Sequence, residues 1–169
     1  MYRVLGYVIV FIFILEWPKI VQINTKSRTK MYDDSQTSFP DINMMSWMDF
    51  EGYTINVLRF LGYTDIELTD FQYDGGKDLV AYKDNNMVYV ECKKWAIHNK
   101  VGRDVLQKLV GACIGDGANE AICITTSYFT DQAKEYAKNV KWLTLIDRNQ
   151  LEKIIEDMQC KMPIKKRAY

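Results

Sequence analysis

The chain has 169 residues, 48% hydrophobic and 13% aromatic, which excludes a disordered protein and leaves room for one domain of ordinary size. Its 22 Lys/Arg and 22 Asp/Glu residues give a formal net charge of zero, which excludes nucleic-acid binding through an overall positive charge. With one histidine and four cysteines without metal-site spacing, the sequence offers little for zinc hydrolysis or a histidine-activated nucleophile.

The chain begins with an apolar segment. Residues 4–15 are uninterrupted apolar sequence, and residues 4–21 reach the length that spans a membrane, with Trp17 suited to the interface. More basic residues follow this segment than precede it, which favours a cytoplasmic C-terminal side. We therefore expect residues 1–22 to anchor the protein at the cytoplasmic face of the membrane; without such an anchor we expect it in the cytoplasm. A segment buried in the core or against a partner, and a signal peptide, stay open as alternatives.

The remaining sequence divides into three parts. Residues 23–45 are polar without a helical or strand period and predict a linker. A folded domain is predicted over residues 46–157, and residues 158–169 predict a basic tail.

Helical and strand patterns alternate within the predicted domain. Ser46 and Asp49 form a capping-box pattern at the start of a helix that ends near Leu61, before Gly62. The later elements are an edge strand at 65–72, strands at 79–82 and 87–94, a helix at 101–114 with Val105, Leu109 and Ala112 inward, a buried strand at 121–126, a helix from Thr130 to 139, a strand at 142–146 and a helix at 148–157. This order predicts an α/β fold, a mixed β-sheet flanked by helices.

The two strands at 79–82 and 87–94 form a predicted hairpin that carries the most informative residues. Asp78 precedes the first strand, while Glu91 and Lys93 lie two residues apart on one face of the second. The turn at 84–86 can bring the two carboxylates together. Such a cluster is costly to form unless a metal ion and a phosphate occupy the gap.

These residue types suit metal-assisted hydrolysis of a phosphodiester bond. Asp78 and Glu91 would offer hard oxygen ligands to Mg²⁺, and the Cys92 backbone carbonyl a third. Lys93 would lie near the attacking water or the phosphate and offset developing negative charge. The alternative from these residues alone is a surface hairpin with an ordinary cross-strand ion pair.

A local basic patch follows the hairpin. Residues 43–156 contain 13 Lys/Arg and 17 Asp/Glu, a net charge of −4, so an overall charge does not attract DNA to the domain. Beyond Lys93, however, basic residues greatly outnumber acids up to residue 108, and such a patch can follow a phosphate backbone. The predicted DNA contacts are Lys94, Lys100, Arg103 and Lys108. A solvated helix face is the alternative.

The ordered series of motifs resembles the Mrr-like restriction endonucleases, a family within the PD-(D/E)xK nuclease superfamily. The resemblance runs from about Ser46 to about Ile155. It is carried by Phe50-Glu51, Leu58-Arg59-Phe60-Leu61-Gly62-Tyr63, Asp74-Gly75-Gly76-Lys77-Asp78, Val88-Tyr89-Val90-Glu91-Cys92-Lys93, Gln107-Lys108-Leu109-Val110-Gly111, Ile124-Thr125-Thr126-Ser127 and Leu145-Ile146-Asp147.

The resemblance implies a role for each matching residue. Asp78, Glu91 and Lys93 match the catalytic acid, acid and lysine, and Glu51 matches an acid on the first helix that completes the metal site. Gln107 matches a polar residue on the helix after the hairpin that contacts water or phosphate.

Two positions depart from the family pattern. Lys77 stands where the superfamily name places a proline, and Glu91 stands where many relatives have glutamine. Neither departure removes a catalytic group.

The resemblance implies a DNA endonuclease of a restriction system that uses Mg²⁺, with Mn²⁺ as a substitute. A homodimer would supply the two active sites that a double-strand break requires if each site cuts one strand. A catalytically silent DNA-binding module, and a membrane-tethered module whose basic patch meets anionic lipid, are the alternatives.

Overall fold

The computed structural model describes residues 41–69 and 75–161 of the chain. The predicted anchor at 1–22, most of the predicted linker and the end of the basic tail lie outside these ranges. Among the described residues, none of the helices is both long enough and apolar enough to cross a membrane.

The elements follow the predicted order. They are α1 (Trp47–Phe60), β1 (Thr64–Leu68), β2 (Leu79–Lys83), β3 (Asn86–Lys93), α2 (Arg103–Asp116), β4 (Glu120–Thr125), α3 (Asp131–Asn139), β5 (Leu143–Ile146) and α4 (Arg148–Lys161). Two predicted caps are confirmed: Ser46 and Asp49 form a reciprocal capping box on α1, and the Thr130 side chain accepts a hydrogen bond from Ala133 at the start of α3.

The five strands form one mixed sheet in the order β1-β2-β3-β4-β5. β1, β2 and β3 pair antiparallel, whereas β3, β4 and β5 pair parallel. A core against one face includes Leu58 of α1 and Leu151 of α4, and a core against the other includes Leu109 of α2 and Ala133 of α3. The predicted mixed sheet flanked by helices is confirmed.

Because side chains alternate along a strand, β3 contributes side chains to both cores. Val88, Val90 and Cys92 belong to the core beneath α1 and α4, and Tyr89 belongs to the core beneath α2 and α3. Glu91 and Lys93 follow Tyr89 by two and four residues. The two charged side chains therefore lie on the α2 side of the sheet.

The predicted inward face of α2 was partly wrong. Leu109 is buried, but Val105 and Ala112 are only half-buried, and the other buried positions are Leu106, Val110 and Cys113. The helix also begins at Arg103, because Val101 instead forms a bridge with Phe129.

Three boundaries differ from the predictions. The edge strand β1 ends at Leu68, and residues 70–74 lie outside the described ranges. Ile42, within the predicted linker, is buried in the core. α4 continues to Lys161 because Met158 is buried, so the packed region extends into the predicted tail.

Candidate active site

The predicted carboxylates meet at the open end of the β2–β3 hairpin. The ladder pairs Leu79 with Val90, and the same register places Asp78 across from Glu91. Between the strands, Asp84 and Asn85 adopt positive φ angles of 49° and 68°, a conformation that Asp and Asn tolerate in two-residue hairpin turns. This short turn fixes the register and hence the pairing of the two acids.

Hydrogen bonds to β3 fix both the backbone and the side chain of Asp78. Its N–H donates to the Val90 carbonyl at 2.8 Å, and its Oδ2 accepts from the Cys92 N–H at 2.6 Å. The carboxylate therefore lies against the stretch of β3 that carries Glu91 and Lys93.

Thr69 holds the Asp78 backbone from the opposite side. Its N–H donates to the Asp78 carbonyl at 2.9 Å, and its hydroxyl donates to the Lys77 carbonyl at 2.7 Å. Asp78 is thus fixed between the end of β1 and β3. No sequence signal identified Thr69 as a supporting residue, because its partners lie across a loop.

Glu91 is a buried acid with an unusual proton affinity. Its side chain is 8% exposed, and burial together with the nearby Asp78 charge raises its pKa from 4.5 to about 7. Lys93 and Lys108 act in the opposite direction without cancelling the rise. A cation bound between Asp78 and Glu91 would relieve this repulsion, so the electrostatics of the pair suit a metal ion.

Lys93 forms a direct ion pair with Glu91. Burial lowers the pKa of Lys93, but the negative charges of Glu91 and Asp78 outweigh burial, so the pKa lies above its ordinary value. Lys93 is therefore a cation at neutral pH. The prediction that the acid, acid and lysine lie together on one side of the hairpin agrees with this geometry.

Glu51 lies on the second turn of α1 and is half-buried. Burial raises the pKa of the Cys92 thiol well above its usual value, and the charges of Asp78 and Glu51 act in the same direction. Glu51 thus acts electrostatically on β3 from the α1 side. No group of three or more His, Cys, Asp or Glu side chains within residues 41–69 and 75–161 could hold a metal ion, so Glu51 does not complete such a group with Asp78 and Glu91.

α2 brings a second lysine to the hairpin. A Cβ atom on Gly76, whose φ is +93°, would lie 3.0 Å from Lys108 Cγ, so the Lys108 stem crosses directly over this glycine. The Lys108 charge lowers the pKa of Glu91. Gln107 lies on the same helix with its side chain exposed. Lys108, predicted only as a DNA contact, thus acts electrostatically on Glu91.

The other predicted DNA contacts lie on or beside the loop after β3. Lys94 donates to the Asn43 carbonyl at 3.4 Å, Arg103 lies over the Tyr136 ring, and Lys100 is exposed. They extend from the hairpin to the start of α2.

A polar segment at the end of β4 supports this loop. The hydroxyl of Thr125 donates to the Lys93 carbonyl at 2.8 Å, that of Thr126 to the Trp95 carbonyl at 2.8 Å, and that of Ser127 to the Asn99 carbonyl at 2.6 Å. Three consecutive buried hydroxyls are a visible signal in the sequence, but the carbonyls that they bind are not.

Comparisons with known proteins agree with this architecture. The family model described as restriction endonuclease (Mrr_cat) matches residues 42–155. The type IV methyl-directed restriction enzyme EcoKMrr of Escherichia coli strain K12 is 38% identical over 109 residues, which cover 60% of this chain and 35% of that protein. The chain therefore spans about a third of the relative that it matches.

Solved structures share the fold. The DNA modification-dependent restriction endonuclease AspBHI superposes with a TM-score of 0.56 at 17% identity, over 80% of this chain and 35% of AspBHI. MspJI restriction endonuclease, solved in complex with a 27-mer oligonucleotide, superposes with a TM-score of 0.52 at 17% identity, over 81% of this chain and 31% of MspJI. AF1548, a protein of unknown function, superposes with a TM-score of 0.55 at 19% identity, over 75% of this chain and 73% of AF1548. At these identities the likeness shows the fold alone.

Proposed function

Because the chain belongs to the restriction endonuclease family, we propose that it is a metal-dependent DNA endonuclease that hydrolyses phosphodiester bonds in restriction or defence against foreign DNA. One observation carries the proposal: the Asp78 carboxylate, fixed by the Cys92 N–H, stands across from Glu91 and beside Lys93. An ordinary surface ion pair does not explain a second carboxylate placed against a buried acid.

The donor set fits a hard divalent cation. Asp78 and Glu91 would hold Mg²⁺, with Mn²⁺ as a substitute, and the Cys92 backbone carbonyl would be a third ligand. When bound, the ion would polarise the phosphate and lower the pKa of a water. The repulsion between Asp78 and Glu91 supports this assignment, because a bound cation would relieve that repulsion and the relief would strengthen its binding.

Lys93 would supply positive charge beside the reacting phosphate. Its ion pair with Glu91 holds the ammonium at the site, and its raised pKa keeps it charged. A charge already in place stabilises a transition state without a reorganisation cost. Glu51 would assist from α1, and Gln107 would contact a water or a phosphate from α2.

The basic residues around the hairpin would bind the DNA backbone. Lys94, Lys100 and Arg103 offer phosphate contacts that carry no sequence information, and Lys108 would bind closest to the site.

Residues 1–22 would anchor the enzyme at the cytoplasmic face of the membrane through residues 4–21, and a homodimer would cut both strands. The folded domain would extend beyond the predicted bounds of 46–157, from the buried Ile42 to Lys161 at the end of α4, and so take in the end of the linker predicted at 23–45 and the start of the tail predicted at 158–169.

A catalytically silent DNA-binding or membrane-tethered module of the same fold is the alternative. The presence of Asp78, Glu91 and Lys93 together opposes it, because a module that only binds has no need of two adjacent carboxylates of which one is buried.

Plasmid nicking by the purified full-length protein tests the proposal. Plain and methylated plasmids are incubated with Mg²⁺, with Mn²⁺ and with a chelator, beside Asp78→Asn, Lys93→Met and the matched control Lys138→Met, an exposed lysine that also pairs with a glutamate. We expect metal-dependent nicking that falls at least about 100-fold in the first two variants and little in the control. Nicking that survives chelation, or that Lys93→Met leaves unchanged, would refute the proposal. DNA binding without cleavage under either metal would favour the silent module.

A further inference from the structure

The residue before Asp78 joins the hairpin to the far end of α2. Lys77 Nζ lies 2.9 Å from Asp116 Oδ2 and 4.3 Å from the centroid of the Tyr89 ring. The Tyr89 hydroxyl donates to the same carboxylate oxygen at 2.8 Å. Lys77, Tyr89 and Asp116, here called the Lys77 cluster, link the turn before β2 with β3 and α2.

The members of this cluster are unusual for their positions. The Lys77 side chain is only 13% exposed, although lysine is among the residues least often buried. Asp116 lies in the last turn of α2, where the helix dipole disfavours an acid, and no basic residue occupies that turn. Hydrogen bonds from Lys77 and Tyr89 hold the pKa of Asp116 below its usual value. Each charge is therefore stabilised by a partner distant in the sequence.

The cluster acts on the segment that leads into the carboxylate site. Gly75 and Gly76 precede Lys77 with φ angles of +59° and +93°, and glycine gives such a turn little intrinsic stiffness. The stem of Lys108 packs on Gly76, so α2 holds the turn at Gly76 and again at Lys77. Displacement of Lys77 would shift the Asp78 backbone and with it the carboxylate.

We propose that Lys77 and Asp116 are positioning residues for the Asp78 carboxylate. They hold the turn before β2 against α2, and so keep the Asp78 carboxylate close enough to Glu91 for both to bind one divalent cation. The inference rests on the proposed function, since it concerns the metal that this site would bind. Neither residue touches the reacting atoms; both act through Asp78.

The test compares full-length Lys77→Met and Asp116→Asn with the matched control Lys83→Met. Lys83 lies at the other end of β2, where it also donates a hydrogen bond, to the Leu61 carbonyl at 3.0 Å, and lies over a tyrosine ring, that of Tyr63. The measurements are the Mg²⁺ dependence of plasmid nicking, Ca²⁺ binding by calorimetry and the melting temperature. Loss of supporting residues around a metal site typically weakens metal affinity 10- to 100-fold.

We expect the half-saturating Mg²⁺ concentration to rise about 10-fold in Lys77→Met and in Asp116→Asn, with weaker Ca²⁺ binding and most of the nicking rate recovered at saturating Mg²⁺. The double variant should be little worse than either single variant, because both substitutions remove the same ion pair. Lys83→Met should keep the wild-type metal dependence even if its melting temperature falls.

Two results would overturn the inference while leaving the proposed function intact. One is wild-type metal dependence in folded Asp116→Asn and Lys77→Met; the other is an equal shift in Lys83→Met, which would indicate a general loss of stability. If the wild-type protein neither nicks DNA nor binds Ca²⁺, the proposed function fails, and the inference fails with it.

Discussion

The raised pKa of Glu91 predicts a pH-dependent cost to the stability of the metal-free protein. An acid whose pKa is higher in the folded state than in the unfolded state favours folding only while it stays protonated. As the pH rises from 4.5 to about 7, the unfolded chain releases the Glu91 proton while the folded protein retains it, so the free energy of unfolding falls. The full loss is about 3 kcal/mol at 1.36 kcal/mol per pKa unit.

Glu91→Gln removes this titration while keeping the shape of the side chain. We expect the stability of the wild type relative to Glu91→Gln to fall by about 3 kcal/mol between pH about 4 and about 8. Urea unfolding in the presence of a chelator, at closely spaced pH values, measures the difference. Glu135→Gln is the matched control, because Glu135 is an exposed acid, 67% accessible, also paired with a lysine.

A flat difference between the wild type and Glu91→Gln, within about 1 kcal/mol across this range, would refute the reasoning. It would mean that Glu91 is ionised in the folded protein without cost. An equal change in Glu135→Gln would instead assign the pH dependence to the overall charge of the chain.

Three further predictions concern the carboxylate site and one helix. Asp78→Asn removes the charge that helps to raise the pKa of Glu91 but keeps an acceptor for the Cys92 N–H; we therefore expect an NMR titration to show a lower Glu91 pKa, and an unchanged value would contradict the assigned repulsion. Mg²⁺ at about 100 times its dissociation constant should stabilise the wild type by about 2.7 kcal/mol near pH 8, by thermal or urea unfolding, and Asp78→Asn much less. Thr130→Ala should destabilise the protein by about 1 kcal/mol through loss of the α3 cap, with Thr130→Ser near wild type; equal losses in both would exclude the cap as the cause.

Local patterns predicted the elements because their signals lie within a few residues. The buried strand β4 contains the apolar run from Ala121 to Ile124, and all of its residues after Glu120 are buried. Ser46 and Asp49 are three residues apart, and the capping box needs no other part of the chain. The hairpin likewise followed from a turn pattern between two strands, which is why the Asp78–Glu91 pairing was predictable.

The buried face of α2 was misassigned because it depends on contacts with residues distant in the sequence. Val105, Leu109 and Ala112 have helical spacing, but so do Leu106, Leu109 and Cys113, and periodicity alone does not choose between two adjacent faces. The choice depends on how the helix meets the sheet. The bridge between Val101 and Phe129 fixes where the chain enters α2, and that contact spans 28 positions.

The supporting contacts of the site escaped prediction for the same reason. Lys77 and Asp116 are 39 positions apart, and Lys93 and Thr125 are 32 apart. No periodicity relates such positions, because they meet only after the sheet has formed. The sequence thus indicated the groups that we propose for the chemistry, but not the groups that hold them in place.

The site needs supporting groups because its two carboxylates repel each other and yet lie close together. To bind the proposed cation, Asp78 and Glu91 must lie close together, and their proximity contributes to the raised pKa of Glu91. A pair that repels itself moves apart unless its backbone is fixed. The Thr69 bonds, the Cys92 N–H and the Lys77 cluster fix Asp78 on three sides. We therefore expect weakening of any of these supports to let the two carboxylates move apart and to reduce the affinity of the site for metal.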